Sequence, residues 1–231
     1  MALNNSSSTR KYKVYTSKLR YKLVYTLMKN ITPRLYGHVI ECGGGAFPFT
    51  RPMIARLRQV FGSAPLTGVE IGVAEGKNAE NILKILNVTH LFLIDPYEAY
   101  LENGRLETSA RAHSINEMIM KARLKPFWNR VTFLKFRSQD AVNKIPQVDF
   151  VYIDGCHVYD SVRKDIQLYS SKVRLGGFIG GHDFNWPGVA KAVQEFANDN
   201  HALFINFPPD WYIQLMPART TFQEISPPII V

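Results

Sequence analysis

The feature that most constrains this sequence is a glycine-containing turn between an apolar strand and a helix, followed by a second apolar strand that ends in an acid. Residues 69–78 read VEIGVAEGKN, and the apolar run LFLI at 91–94 is followed at once by Asp95. Asp95 comes 25 residues after Glu70. This order is the layout of a nucleoside-binding β-α-β unit, in which a ligand meets the carboxyl ends of both strands.

Each part of this unit has a predicted role toward a ligand. Gly72 and Gly76 would let the backbone approach a ligand that a Cβ would block. The helix that begins near Lys77 would point its free N–H groups at an anion. Asp95 would accept hydrogen bonds from the ribose hydroxyls of a nucleoside.

From residue 66 onward, strand and helix patterns alternate, which predicts an α/β fold. The predicted strands are Gly68–Gly72, His90–Ile94, Val131–Phe136, Asp149–Ile153 and Gly177–Gly180. The predicted helices are Thr50–Phe61, Ala79–Leu86, Thr108–Ala122, Tyr159–Val173 and Gly188–Asn198. Short apolar strands joined by helices indicate a Rossmann-like, doubly wound and mostly parallel sheet. Ala202–Phe207 and Trp211–Met216 would add an antiparallel C-terminal hairpin, giving a seven-stranded sheet.

The positive charge of the chain is concentrated near its N-terminus. Residues 1–58 hold 11 Lys and Arg and one acid, for a net +10, whereas residues 59–231 hold 17 Lys and Arg and 18 acids, for a net −1. Residues 11–31 have helical apolar periodicity with a stripe of lysines on the other side. We therefore predict a basic extension over 1–50 and an α/β domain over 51–231. The helix would pack on the domain or on a partner copy in a homo-oligomer, or would collect anions such as RNA.

Composition also bears on where the protein is found. No run approaches the roughly 20 apolar residues that a membrane span needs, and no secretory segment is evident. The two cysteines, Cys42 and Cys156, are too few for a disulfide framework. We therefore expect a cytoplasmic protein with no transmembrane segment.

Polar side chains follow the predicted strands one after another. The residues concerned are Asp95, Ser138, Gln139, Asp154, His157, His182 and Asp183. Because the carboxyl ends of parallel strands meet at one edge of a sheet, we expect these side chains to lie together. Taken singly, Asp154 could cap a helix and His157 could be an ordinary surface residue. Their recurrence at successive strand ends favours a functional site.

Three motifs in this region resemble those of a known family. The first is Glu-x-Gly-x-x-x-Gly at 70–76, the second is IDGCHVY at 153–159, and the third is GGHDF at 180–184. Together they resemble the class I S-adenosylmethionine (SAM) methyltransferases that act on small molecules. The macrolide-sugar and aminocoumarin O-methyltransferases are the most similar group, with catechol O-methyltransferase more distant. The similarity covers roughly residues 66–216.

The resemblance implies a SAM site along the strand ends. Glu70, Gly72 and Ala74 would line the methionine part of SAM, with Asn78 near its carboxylate. Gly76, in the same turn, would also contact the cofactor. Asp95 would bind the ribose hydroxyls, and Ser138 and Gln139 match a Ser-Gln pair that contacts adenine in the catechol enzyme. Asp154 would also border the cofactor.

The resemblance also implies a general base and a metal site. His157 falls where these enzymes place their base, a role suited to a neutral imidazole. In the related sugar enzymes a divalent metal, usually magnesium, is held at the positions of Asp154, His182 and Asp183. His182 departs from the usual acid, because Mg²⁺ prefers oxygen ligands. Either the metal is softer, or His182 stands outside its shell, or no metal binds.

The sequence therefore predicts a SAM-dependent methyltransferase that methylates a hydroxyl of a small molecule. His157 would remove the proton, and Asp154 and Asp183 would anchor a metal or the substrate. Two other functions stay open. The basic N-terminal segment would suit an RNA methyltransferase, although the chain has no Asn-Pro-Pro-Tyr-type motif. A SAM-binding protein without catalytic activity would bind the same cofactor and methylate nothing.

Overall fold

The computed structural model describes residues 51–102, 105–106 and 109–216 of the 231-residue chain. The predicted basic extension over 1–50, with its helix at 11–31, lies outside the described residues. Within the described ranges, no helix is long and apolar enough to cross a membrane.

Strands and helices alternate along the described chain. The helices, numbered in chain order, are α1 Pro52–Phe61, α2 Lys77–Ile85, α3 Ala110–Leu124, α4 Ser138–Ala141, α5 Tyr159–Ser170 and α6 Pro187–Asp199. The strands are β1 Leu66–Ile71, β2 Val88–Ile94, β3 Leu101–Glu102, β4 Arg105–Leu106, β5 Val131–Leu134, β6 Val148–Ile153, β7 Val173–Gly181, β8 Phe204–Phe207 and β9 Asp210–Gln214. Short 3₁₀ helices, Lys125–Arg130 and Val142–Lys144, follow α3 and α4.

Seven of the strands form one sheet in the order β5-β2-β1-β6-β7-β9-β8. The first five in this order run parallel, while β9 pairs antiparallel with both β7 and β8. The predicted Rossmann-like α/β fold with an antiparallel C-terminal hairpin is therefore confirmed. The strand order reverses between β1 and β6. In open α/β sheets, ligands bind in the crevice outside the carboxyl ends of such a strand pair.

Helices cover both faces of the sheet because its central strands are apolar on both sides. In β6, Phe150 and Tyr152 pack in the layer that contains residues of α1, α2 and α3. Val151 and Ile153, which alternate with them, pack against residues of α5 and α6. All four are at most 4% exposed. Because the apolar side chains occupy both faces, polar groups are left to the strand ends.

The described elements begin or end a few residues away from the predicted bounds, and three of the differences have a clear physical cause. The helix predicted to reach Val173 ends at Ser170, because Val173 begins β7 and pairs with Val148. In the sequence, Val173 continues the helical spacing of α5. The periodicity alone therefore does not show that Val173 begins a strand. The helix α4 has only four residues, too few for a periodic pattern. The paired strands β3 and β4 have two residues each, which is also too few to give a recognisable pattern in the sequence.

Candidate active site

The glycine turn after β1 packs directly against the end of β6. Gly72 has a φ of +80°, and a Cβ at this position would lie 2.1 Å from the carbonyl oxygen of Asp154. Gly76 has a φ of +73° and precedes α2, and a Cβ there would lie 3.0 Å from Cγ of Met120. Contacts within the protein therefore require glycine at Gly72 and favour it at Gly76. Their close approach to a ligand stays a prediction.

Asp95, just past the carboxyl end of β2, organises the same turn. Its Oδ2 accepts hydrogen bonds from the backbone N–H groups of Val73 and Ala74, both at 3.0 Å, and its Oδ1 accepts one from Tyr97 at 2.8 Å. The Tyr97 hydroxyl donates to the carbonyl of Ala74 at 2.6 Å. Burial raises the pKa of the Asp95 carboxyl, and the three N–H donors oppose this by favouring the charged form. A carboxylate has room for a fourth hydrogen bond, so the predicted ribose contact remains compatible with this arrangement.

Glu70 and Asn78 form a buried polar pair next to the turn. Asn78 Nδ2 donates to Glu70 Oε1 at 3.0 Å, and the two residues are 1% and 5% exposed. Within the described residues, Glu70 Oε2 and Asn78 Oδ1 are buried without a hydrogen-bond partner. Burial raises the pKa of Glu70 to about 8, although the hydrogen bond from Asn78 lowers it. These two buried oxygens fit a polar ligand, and ionisation of Glu70 would make both of them acceptors for N–H groups.

The raised pKa of Glu70 predicts how stability changes with pH. The folded protein holds this proton up to about pH 8, whereas an unfolded glutamate releases it near 4.5. The stabilising contribution is therefore complete below pH 4.5 and is lost as the pH rises toward 8. Glutamine does not ionise, so the Glu70→Gln variant should not lose stability in this way as the pH rises. As the pH rises from 4.5 toward 8, we expect the free energy of unfolding of the wild type to fall by a few kcal/mol relative to this variant. Each unit of pKa shift corresponds to about 1.4 kcal/mol.

Urea unfolding without ligand at several pH values measures the effect of the Glu70→Gln substitution. The matched control is Glu98→Gln, because the Glu98 side chain is 60% exposed. A difference between wild type and Glu70→Gln that stays constant across this pH range would contradict the burial of an un-ionised Glu70.

The two residues predicted to contact adenine open α4, soon after β5. The Ser138 hydroxyl donates to Asp165, and Gln139 Oε1 accepts a hydrogen bond from Nζ of Lys164. The Tyr169 hydroxyl donates to the carbonyl of Ser138 at 2.7 Å. Burial raises the pKa of Asp165 to about 6, against the effect of its hydrogen bond from Ser138. These contacts with α5 fix the position of Ser138, and its contact with adenine stays a prediction.

Asp154 directly follows β6 and stands between two basic side chains. Its Oδ2 lies 3.8 Å from Nη2 of Arg51, and its Oδ1 lies 3.8 Å from Nδ1 of His182. Its backbone N–H donates to the carbonyl of Ile71 at 2.8 Å, which holds it beside the end of β1. Burial raises the pKa of Asp154 to about 6, and the charges of His182 and Arg51 act in the opposite direction. Asp154 therefore lies where the strand order of the sheet reverses.

Asp183, in the turn after β7, bridges two histidines. Its Oδ2 lies 2.8 Å from Nε2 of His157, and its Oδ1 lies 3.1 Å from Nδ1 of His182. Burial alone would raise the pKa of Asp183, but the hydrogen bonds from both histidines outweigh it and hold the pKa well below its usual range. Burial alone would lower the pKa of His182, but its hydrogen bond to Asp183 and the charge of Asp154 raise it. An ionised Asp183 therefore orients both imidazoles.

The structure brings together four of the residues that the sequence placed at the strand ends, namely Asp154, His157, His182 and Asp183. It holds Asp95 against the glycine turn, whereas the side chains of Ser138 and Gln139 form hydrogen bonds with α5. The glycine turn, Asp154, and the His182-Asp183 pair follow β1, β6 and β7 at one edge of the sheet. A family model described as a methyltransferase domain matches residues 69–184. This chain belongs to that methyltransferase family. The resemblance to class I SAM-dependent methyltransferases that the motifs indicated is thereby confirmed.

Several proteins are similar to this methyltransferase. An uncharacterized protein of Acanthamoeba polyphaga mimivirus is 26% identical over 164 residues, which cover 69% of this chain and 72% of the viral protein. Among solved structures, the O-methyltransferase NovP is 20% identical with a TM-score of 0.52, and the match covers 72% of this chain and 80% of NovP. MycE, a methyltransferase of the mycinamycin pathway solved with Mg, SAH and mycinamycin VI, is 13% identical with a TM-score of 0.51, covering 75% of this chain and 51% of MycE. The two solved structures share the fold of this methyltransferase.

The methyltransferase also contains a buried network behind Asp154 that the sequence did not predict. Arg51 Nη1 donates to Oδ1 of Asp210 at 3.0 Å, and the Tyr152 hydroxyl donates to the same oxygen at 2.6 Å. The Arg51 guanidinium lies 5.4 Å from the centre of the Tyr152 ring. The three residues come from the start of α1, from β6 and from β9, and they share no local motif. No signal in the sequence therefore pointed to them.

The donor atoms of Asp154, His182 and Asp183 fit a divalent metal. One oxygen of each carboxylate and one ring nitrogen of the histidine lie within 4.8 Å of one another. Ligand atoms on opposite sides of an ion are about 4.2 Å apart when each bond is about 2.1 Å, so the three need to draw together only slightly. Within the described residues, no other group of three or more such side chains comes this close. His157 contacts the opposite oxygen of Asp183, outside this set.

Proposed function

We propose that this methyltransferase transfers the methyl group of SAM to a hydroxyl of a small molecule by direct in-line attack. The observation that carries the proposal is the hydrogen bond between His157 and Asp183, which orients an imidazole beside the crevice of the sheet. The likeness to NovP, an O-methyltransferase, supports an oxygen acceptor, and the SAH held by MycE supports SAM as the donor.

The residues around the glycine turn fit SAM, which supplies a methyl group on a positively charged sulfur. The buried acceptors of Glu70 and Asn78 would receive the N–H groups of its amino end, and the backbone of the glycine turn would line its methionine part. Asp95 would hold the ribose, and Ser138 and Gln139 would border the adenine. The positive charge of SAM beside Glu70 would favour the ionised form of its carboxyl. The N–H groups of SAM and the carboxylate of Glu70 would then satisfy each other as donor and acceptor.

His157 would take the proton of the acceptor hydroxyl. Because Nε2 faces the ionised Asp183, a neutral ring would carry its proton on Nε2 and its lone pair on Nδ1. Nδ1 would accept the proton as the oxygen attacks the methyl carbon, and Asp183 would stabilise the imidazolium that forms. Asp183 therefore acts by orienting the base.

A divalent metal held by Asp154, His182 and Asp183 would orient the acceptor hydroxyl and lower its pKa. The imidazole nitrogen of His182 favours a transition ion such as Mn²⁺ over Mg²⁺, which prefers oxygen ligands. The role of these residues in binding a metal is part of the proposal.

Calorimetric titration of the full chain with S-adenosylhomocysteine (SAH) tests the cofactor. We expect micromolar binding, followed by transfer of labelled methyl from SAM to hydroxylated small molecules. Failure of SAH to bind, with or without Mg²⁺ and Mn²⁺, would overturn the proposal. Methyl transfer to nitrogen or carbon acceptors alone would overturn its oxygen-specific part.

We expect Mn²⁺ to bind the wild-type protein more tightly than Mg²⁺ by about tenfold, because one of the three donors is a nitrogen. Electron paramagnetic resonance of free Mn²⁺, with Mg²⁺ as competitor, measures both affinities without any need for turnover. His182→Asp supplies an oxygen in place of the nitrogen and should shift the preference toward Mg²⁺. The control is Asp199→Asn, an exposed acid at the end of α6. Equal binding of the two ions, or an unchanged preference in His182→Asp, would rule out His182 as a ligand.

The charge of the N-terminal segment supports RNA as a second candidate substrate. Residues 1–58 carry a net +10, and such a charge gives salt-dependent affinity for nucleic acid. Methylation of RNA, with binding that weakens steeply with salt and is lost on deletion of residues 1–35, would favour this candidate. A chain that binds SAH but methylates neither class would be a non-catalytic SAM-binding protein. A cytoplasmic location and a homo-oligomeric state stay predictions.

A further inference from the structure

A tryptophan lies flat against the ring of His157. The indole of Trp186 and the imidazole of His157 are stacked, with their centroids 4.8 Å apart and their planes inclined by 18°. Trp186 is 38% exposed and stands just before the first residue of α6. The contact therefore covers one face of the imidazole and leaves part of the indole at the surface.

The same turn supplies both contacts to the imidazole. Asp183 accepts the hydrogen bond at Nε2 of His157, and the carbonyl of Asp183 accepts the backbone N–H of Trp186 at 2.8 Å. The hydrogen bond fixes the direction of one ring nitrogen, whereas the χ2 torsion of a histidine has a broad minimum, so a contact with the ring face adds a separate restraint. Stacking against the indole restrains that plane. The two contacts therefore fix different degrees of freedom of one side chain.

The turn itself is held firmly on the rest of the fold. The backbone N–H of Phe184 donates to the carbonyl of Pro209 at 2.9 Å, in the loop between β8 and β9. A Cβ on Gly188 would lie 2.4 Å from the carbonyl oxygen of His157, so the first turn of α6 packs directly against the backbone of that residue. His157 is therefore contacted at its ring nitrogen, its ring face and its backbone by residues 183–188.

We propose that Trp186 is a positioning residue that sets the ring plane of His157 and so keeps the imidazole in the orientation needed for proton transfer from the acceptor hydroxyl. This inference rests on the proposed function, because it needs His157 to act as the base. A tilt of the imidazole would move the proton-accepting nitrogen out of line with the attacking oxygen. Rates of such reactions fall steeply with misplacement of the reacting groups.

Two substitutions separate aromatic stacking from mere volume. Trp186→Leu removes the flat ring, and we expect it to lower kcat about tenfold, the effect of losing roughly one aromatic pair. The KM for the acceptor and the affinity for SAH should stay within about twofold. Trp186→Phe keeps a flat ring and should restore most of kcat. The matched control is Trp128→Leu, because Trp128 is 41% exposed on the 3₁₀ helix after α3.

Chemical modification of His157 gives a readout that needs no acceptor. Diethyl pyrocarbonate attacks neutral imidazoles, and peptide mass spectrometry reports its rate at each histidine. His157 should react severalfold faster in Trp186→Leu than in the wild type, with Trp186→Phe between the two. If the modification rates follow this order but no acceptor is methylated, the proposed function is wrong. The stacking contact between Trp186 and His157 is confirmed all the same. An unchanged kcat in Trp186→Leu, or equal losses in the Leu and Phe variants, would overturn the positioning role.

Discussion

Replacing His157 with glutamine is expected to lower kcat about 10²- to 10⁴-fold, the usual cost of losing a general base. Glutamine can still donate a hydrogen bond to Asp183, but its amide nitrogen cannot accept a proton near neutral pH. The affinity for SAH should stay within about twofold, because His157 lies after β6 and not in the glycine turn. Single-turnover methyl transfer measures the first quantity, and calorimetry with SAH measures the second.

A second histidine provides the control for His157→Gln. His201 is exposed beyond α6 and has a φ of +48°, which asparagine tolerates well. His201→Asn should therefore leave kcat unchanged. Normal turnover by His157→Gln would remove His157 from the mechanism and leave Asp154 as the remaining candidate base beside the crevice.

Replacing Asp95 with alanine is expected to weaken SAH binding by at least about thirtyfold, equivalent to about 2 kcal/mol. The substitution leaves three backbone N–H groups without their acceptor, those of Val73, Ala74 and Tyr97. Each buried donor left unsatisfied costs about 1–3 kcal/mol, so the free energy of unfolding should fall as well. Calorimetry with SAH and urea unfolding in the absence of ligand measure the two effects.

Comparison with Asp95→Asn separates the two roles given to Asp95. Asparagine keeps one acceptor oxygen, so it should recover part of the stability but little of the affinity for a ribose. The control is Asp199→Ala, an exposed acid at the end of α6. An Asp95→Ala protein with normal affinity for SAH would show that Asp95 shapes the turn without contacting the cofactor.

The residues that carry the proposed chemistry could be predicted because each lies within four residues of the end of an apolar strand. Parallel strands bring their carboxyl ends to one edge, so Asp154 and Asp183 could be placed together without knowledge of the packing. The structure joins them through His182 and adds the contact of His157 with Asp183. The rule places residues at an edge, but it does not say which atoms meet.

What the sequence could not show depends on pairing between distant segments. Asp210 meets Tyr152 only because β9 pairs antiparallel with β7 in one register. Apolar alternation marks which face of a strand is buried, but the register of a distant pair depends on packing that no local pattern records. Gly72 is a similar case, because the atom that requires glycine there is the carbonyl oxygen of Asp154.

The bond between Tyr152 and Asp210 has a consequence for the order in which the protein is made. Tyr152 belongs to the central strand β6, whereas Asp210 begins β9. Of the seven strands of the sheet, β9 is synthesised last. A nascent chain that has assembled only the parallel strands therefore still lacks the acceptor of the Tyr152 hydroxyl. Arrival of β9 supplies the carboxylate to Tyr152 and to Arg51 in one step. Closure of the sheet and completion of the network behind Asp154 therefore both depend on the strand that is synthesised last.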